Sequence, residues 1–302
     1  KKNNNYVLFN STNGFIDDNV NTLLIDEKNI LWIGTNQNGV YTYDQQTKKF
    51  LNFSKQKKLK QFSINSIIQT NDKIIIGSTD GLYVQDKSLG AGYELTTNDG
   101  LLHNNVVHLF EDSKKRLWIA SHGTPPYYIA SGKITSFKKV EGLNSYDINS
   151  ICEDKYGNIW ISTEGDGVFK FDNSTFHNYT TTHGLLSDYC NGIATDRNNS
   201  IWVSHRNGLS ELKDRHIKFA TFSNQNGLLF YENNLNAIHK DMDTNLWFGT
   251  SDGVMRYDPE SGKTGSKVPE IFSTKSSLNN STYRASDVIV KKYGYYIVHI
   301  DY

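Results

Sequence analysis

Three residues of this 302-residue chain, His122, Glu164 and Arg206, place an imidazole, a carboxylate and a guanidinium at successive spacings of 42 residues. These types suit either proton transfer or the recognition of a polar, hydroxyl-bearing ligand, because each is a strong hydrogen-bonding group. The same offset of a recurring phrase supplies further polar residues: Asn36, Asp80 after Thr79, Asp166 two residues beyond Glu164, Asn207 after Arg206, and Asp252 after Ser251. Chemical diversity at one point of an otherwise constant repeat is where a specific binding site would be written.

The most irregular copy adds two aromatic candidates, Tyr127 and Tyr128, directly after Gly123-Thr124-Pro125-Pro126, a stretch that holds half of the chain's 4 prolines. A rigid loop with aromatic faces can stack on a sugar ring while polar neighbours read its hydroxyls. Tyrosines packing locally at a sheet edge are the alternative. The ligand-binding candidates are therefore Asn36, Asp80, His122, Tyr127, Tyr128, Glu164, Asp166, Arg206, Asn207 and Asp252. General acid–base catalysis needs its groups within hydrogen-bonding reach, which the spacing does not establish. Neither a nucleophile elbow, a phosphate loop nor a metal-binding histidine pair is written in the sequence, so it names no catalytic residue, metal ligand or cofactor.

The elements that must position these residues are read from the recurring phrase itself: ILWIGT at 30–35, KIIIGS at 73–78, RLWIAS at 116–121, NIWIST at 158–163, SIWVSH at 200–205 and NLWFGT at 245–250. Anchored on Trp32, Ile75, Trp118, Trp160, Trp202 and Trp247, the steps are 43, 43, 42, 42 and 45 residues. A fixed period of this length is the signature of a repeat architecture. Six residues before the anchor stand Asp26, Asp112, Asp154, Asp196 and Asp241. Recurring in five copies, they read as hairpin residues whose side chains cap their own backbone, not as paired catalytic carboxylates.

Two residues after the anchor the side chain is small in every copy, Gly34, Gly77, Ala120, Ser162, Ser204 or Gly249, which predicts close approach of a neighbouring sheet. A turn glycine follows (Gly39, Gly81, Gly123, Gly167, Gly208, Gly253) and opens a third strand. With an apolar strand before each Asp and a fourth such as Phe176 to Tyr179, each copy holds four short antiparallel strands and no helical periodicity.

Four strands per forty-odd residues make a β-propeller blade. The all-β fold expected is thus a propeller with seven blades favoured, and six blades plus a β tail as the alternative. Six recognisable repeats fill residues 1–264. Residues 265–302 form either a degenerate seventh blade closing with the N-terminal strand Tyr6 to Phe9, or the start of a following β domain. Phe272 is also able to close the sixth sheet. Neither the WD dipeptide nor a Gly-Gly doublet is present, so WD-repeat and kelch classes fit poorly.

Composition narrows the function classes. The 32 basic and 32 acidic side chains cancel, which argues against a nucleic-acid partner for this segment. No run approaches the roughly 18 continuous apolar residues of a membrane span, so no membrane contact is expected of this segment. Cys152 and Cys190 lack both a framework and zinc spacing and read as small core residues.

The composite phrase Asn-Gly-Leu, strand, Asp, turn, Leu-Trp-Ile-Gly-Thr, Gly-Val, Tyr-Asp resembles the regulator-propeller repeats of the periplasmic sensor region of bacterial hybrid two-component systems. Matching positions include Asp99-Gly100-Leu101, Glu141-Gly142-Leu143, His183-Gly184-Leu185 and Asn226-Gly227-Leu228, with the Trp phrases after them. Copy two departs from the pattern in lacking Trp and the usual Asp. The resemblance implies a periplasmic, ligand-sensing module of a signal-transduction protein, the extracytoplasmic part of an inner-membrane protein. It also implies an oligosaccharide or other small-molecule ligand, and a homodimer formed through the parent sensor. A propeller lyase or glycan-acting enzyme on the same face, and a protein-interaction scaffold, are the alternatives.

Overall fold

The structure is a computed structural model that describes residues 9, 14–15, 19–57, 62–87, 90, 92–144, 146–223, 232–251 and 253–257, and the backbone of 270–273. The chain divides into two compact units that part between Ser136 and Phe137. In the first unit, four-stranded antiparallel sheets run over residues 20–52, 64–95 and 106–136. In the second they run over 148–179, 192–222 and 233–273. Strand order in every sheet follows the sequence, the arrangement of a propeller blade.

Six blades thus stand among the described residues, where seven were favoured. The strand Glu270–Ser273 pairs with Gly253–Tyr257, Val254 opposite Phe272, and serves as the fourth strand of the sixth sheet. Residues 6–8 and 274–302, on which a seventh blade was to be built, lie outside the described residues. Phe9 packs with Phe50 and Tyr43 of the first sheet, ring centroids 5.0 and 4.8 Å away.

Within each unit the first strands of successive sheets lie side by side, Val20–Ile25 against Ile64–Gln69 and Ile148–Glu153 against Gly192–Thr195. The Trp phrase forms the second strand and is apolar on both faces because sheets cover it from both sides. Trp32 is buried with Ile64, Ile67, Ile74 and Ile76 of the following sheet. Trp160 is buried with Ile193, Ile201 and Val203, and Trp202 with Leu246 and Phe248. Trp32, Trp160 and Trp202 therefore each belong to the seam with the next blade, which is why the phrase cannot drift there.

The five aspartates do what a hairpin requires and more. Asp154 Oδ1 accepts the N–H groups of Tyr156 and Asn158 at 2.9 and 3.0 Å, and its Oδ2 accepts the indole N–H of Trp160 at 2.9 Å. The same indole bond joins Asp26 to Trp32, Asp112 to Trp118, Asp196 to Trp202 and Asp241 to Trp247, at 2.9, 2.7, 3.2 and 2.7 Å. One carboxylate thus caps the turn and satisfies the only polar atom of a core side chain. Copy two has neither partner: its turn is one residue shorter, and the strand pairing sets Thr70 and Ile75 at the two positions.

The small residue after each Trp marks close approach, as its spacing predicted. A Cβ on Gly34 would stand 2.5 Å from Thr22 Cγ2 and 2.6 Å from Ile64 Cγ2 of the next sheet. Gly34→Ala is expected to cost about 2 kcal/mol by overpacking. In urea unfolding, the Gly34→Ala/Ile64→Ala pair should cost less than the two single changes summed; strict additivity would show that the two groups do not collide.

Candidate functional site

In five of the six described sheets the loop after the second strand and the residue leading into the first strand are fastened together. Asn36 N–H donates to Asn19 O at 2.9 Å, Thr79 to Ser63 at 3.0 Å, His122 to Asn105 at 3.0 Å, Glu164 to Asp147 at 2.9 Å and Ser251 to Glu232 at 2.8 Å. A hydroxyl at the end of the second strand closes the loop from below: Thr35 Oγ1 donates to Gly39 O at 2.9 Å and Thr163 Oγ1 to Gly167 O at 2.7 Å. The backbone of this edge is therefore repeated while its side chains vary, and in each sheet it lies at the end opposite the Asp turns.

In the first unit, Asn36 Oδ1 accepts from Ser63 Oγ at 3.0 Å, and Asp80 lines a small cleft of about 40 Å³ with Ser54, Ser78 and Glu94. His122 is exposed, with the His103 ring centroid 6.3 Å away. Tyr127 is fully buried, its hydroxyl 2.8 Å from Ser121 Oγ, so it offers no ring face to a ligand. The strand Tyr127–Ala130 begins at that residue and the register sets it opposite Ile119, inside the core. Tyr128 packs on Trp118 at 4.9 Å, and the Arg116 guanidinium lies 5.1 Å from its ring.

In the second unit, Asp166 is committed to the fold: its carboxylate accepts the N–H and the amide of Asn144 at 2.8 and 3.2 Å. Glu164, Arg206 and Asn207 are exposed. Arg206 pairs with Glu232 at 3.0 Å. Glu164 forms an isolated antiparallel bridge with Tyr189. Asp252 lies outside the described residues. His122 belongs to the first unit and Glu164 and Arg206 to the second.

The lead-in position was missed in the sequence, although its own period of about forty-two residues, through Asn105, Asp147 and Tyr189, could have marked it. Its asparagine neighbours carry a second regularity. Asn149 Nδ2 donates to Cys190 O at 3.0 Å, Asn191 Nδ2 to Asn233 O at 2.8 Å and Asn65 Nδ2 to Val106 O at 2.8 Å, each stitching one first strand to the next.

Tyr189 is held from behind by His205, which occupies the site of the closing hydroxyl in other copies. His205 Nδ1 lies 3.0 Å from Tyr189 O and Nε2 lies 2.8 Å from Ser210 Oγ. A carbonyl can only accept, so Nδ1 carries the proton and Nε2 accepts from the hydroxyl. Ser210 Oγ in turn accepts the N–H of Leu186 at 3.0 Å, so both ends of the 186–189 segment are tied to one imidazole. Burial lowers the His205 pKa to about 4, which keeps the ring neutral and this bonding pattern intact. Cys152 and Cys190 are free and buried in one apolar cluster, and burial pushes both thiols well above the usual thiol range. Among the described residues no group of His, Cys, Asp and Glu is placed to hold a metal ion.

The architecture is that of an all-β propeller built from four-stranded antiparallel blades. Residues 14–37, 100–123 and 142–165 match the family model described as two component regulator propeller, and the chain carries repeats of that family. No curated protein matches the sequence. Among solved structures, the chain is similar to the extracellular domain assigned to the hybrid two component system BT3049 from B. thetaiotaomicron, with 23% identity and a TM-score of 0.73, over 91% of this chain and 39% of that one. The corresponding domain of BT4673 from the same organism gives 20% identity and a TM-score of 0.60, over 87% and 44%. Virginiamycin B lyase from Staphylococcus aureus gives 12% identity and a TM-score of 0.65, over 84% of each chain. The chain thus spans under half the length of the two-component domains it matches. Among the described residues no helix is long and apolar enough to cross a membrane.

Proposed function

We propose that this chain is an extracytoplasmic sensing propeller of a hybrid two-component signalling protein, and that it takes an oligosaccharide on the edge formed by the lead-in residues and the second-to-third loops. The observation that carries this reading is the contrast at that edge. The same backbone bond recurs in five of the six described sheets, while the side chains it presents change from Asn36 to Thr79, His122, Glu164 and Ser251. A fixed scaffold with variable polar groups is how repeat folds display a recognition surface. The two-component repeats and the likeness to extracellular domains of B. thetaiotaomicron systems support the signalling context and the location. Balanced charge supports a partner that is not a nucleic acid.

The test is thermal unfolding of the chain against a broad panel of glycan fragments. A bound fragment raises the melting temperature in proportion to its saturation. No shift with any fragment, the protein remaining folded, removes the reading. Product formed on long incubation, and lost in Glu164→Gln, would instead make the same edge that of a lyase or hydrolase.

A further inference from the structure

We infer that the edge of the second unit around Tyr189 is a stacking subsite for an uncharged sugar ring, with the Glu164 carboxylate as the hydroxyl acceptor that also turns away anionic glycans. The inference deepens the sensing role proposed above and rests on it for the ligand's general class.

The geometry starts from the bridge between Glu164 and Tyr189. Residues directly opposite in an antiparallel pair project to the same side, with Cβ atoms about 5 Å apart. A carboxylate and a phenol ring are therefore neighbours on one surface. Tyr189 is 62% exposed, the most open aromatic among the described residues. Its ring rests against Gly165, where a Cβ would lie 3.5 Å from Cε1 and 3.6 Å from Cζ. Gly165 has φ +111°, a conformation that side chains disfavour, so the bare backbone beneath the ring is fixed by the turn.

An exposed ring of this size is commonly explained by packing against its own chain, but Tyr189 turns most of its surface outward. The backbone beneath it is also unusually well braced. Gly165 and Gly167 both donate N–H to Asp188 O at 3.2 and 2.9 Å, and Cys190 N–H donates to Thr163 O at 2.9 Å. The His205 and Ser210 chain secures the same segment from within. A pre-organised aromatic face loses little conformational freedom on binding, which favours stacking of an apolar sugar face.

Charge then selects the ligand class. Glu164 stands beside the ring, and Asp147, whose carbonyl accepts the Glu164 N–H, adds a second carboxylate at the lead-in to the strand Ile148–Glu153. Arg206 and Glu232 of the neighbouring loops pair with each other at 3.0 Å and cancel. Carboxylates accept from sugar hydroxyls, whereas a uronate or sulfate brought to the ring would face like charge.

The experiment measures affinity of the chain by calorimetry for neutral gluco-, galacto-, manno-, xylo- and arabino-oligosaccharides beside oligogalacturonate and sulfated galactan fragments. A neutral oligosaccharide is expected to bind, with Tyr189→Ala weakening it about tenfold. Glu164→Gln is expected to narrow the preference for neutral over uronate ligands. Tyr189 is a surface ring, so circular dichroism and melting of its variant should match the parent. Tighter binding of an anionic glycan, or unchanged affinity in Tyr189→Ala, overturns the subsite while leaving the sensing role standing. Absence of binding by every glycan overturns both.

Discussion

Asp154→Ala is expected to destabilise the protein by about 4 kcal/mol, because one buried carboxylate serves several donors that alanine leaves without an acceptor. Those donors are the N–H groups of Tyr156 and Asn158, the Asn158 amide at 2.8 Å and the Trp160 indole. Asp154 and Trp160 are both buried, so water cannot easily replace the lost bonds. Asp154→Asn should also be harmful. If its amide oxygen caps the turn, its NH2 group faces the indole N–H, donor against donor. Urea unfolding of Asp154→Ala, Trp160→Phe and the pair should give a coupling of about 2 kcal/mol, the worth of a hydrogen bond to a charged acceptor. A coupling near zero would mean that the aspartate only caps the turn and that the indole contact is incidental.

Acid is expected to weaken the fold through two histidines, the half-buried His108 and the buried His205. Burial lowers the pKa of His108 and of His205 to about 4, against 6.5 in the unfolded chain. Above pH 6.5 both rings are neutral in both states and contribute no pH dependence. Between 6.5 and about 4 the unfolded chain takes up protons that the folded chain refuses, so stability falls as pH falls and levels off below 4. Each ring accounts for roughly 3 kcal/mol across that window. Asp188 acts on His205 in the opposite sense, favouring its charged form, so His108 is the cleaner case. Unfolding free energy measured from pH 7.5 to 4.5 should show the decline, and His108→Gln should flatten part of it. An identical slope in that variant would place the acid sensitivity elsewhere.

Much of this protein is legible in one dimension because each blade solves the same problem with the same residues. The Trp phrase could be placed because a strand covered on both faces is built mainly from apolar side chains, and the small residue after it because a neighbouring sheet leaves little room there. The aspartates were read correctly as turn residues. Their bond to the indole was not legible, since nothing in a spacing of six says that a hairpin cap and a core side chain share one acceptor. The blade count differed for a related reason. Phe272 could be read as closing the sixth sheet, which its pairing with Gly253–Tyr257 bears out, whereas the seventh repeat had no Trp, Asp turn or trailing glycine to mark it.

The candidate site divides along the same line. Sequence alone determined the period, the four-strand unit, the loops that vary and hence the edge where recognition would be displayed, because these follow from local propensity and repetition. Tertiary structure decided which of the variable residues face outward. It buried Tyr127 by register, spent Asp166 on Asn144, and raised Tyr189 onto a bare glycine beside Glu164. A side chain's availability depends on what neighbouring strands and loops bring against it, here from residues 8 to 25 positions away, and no local pattern encodes that.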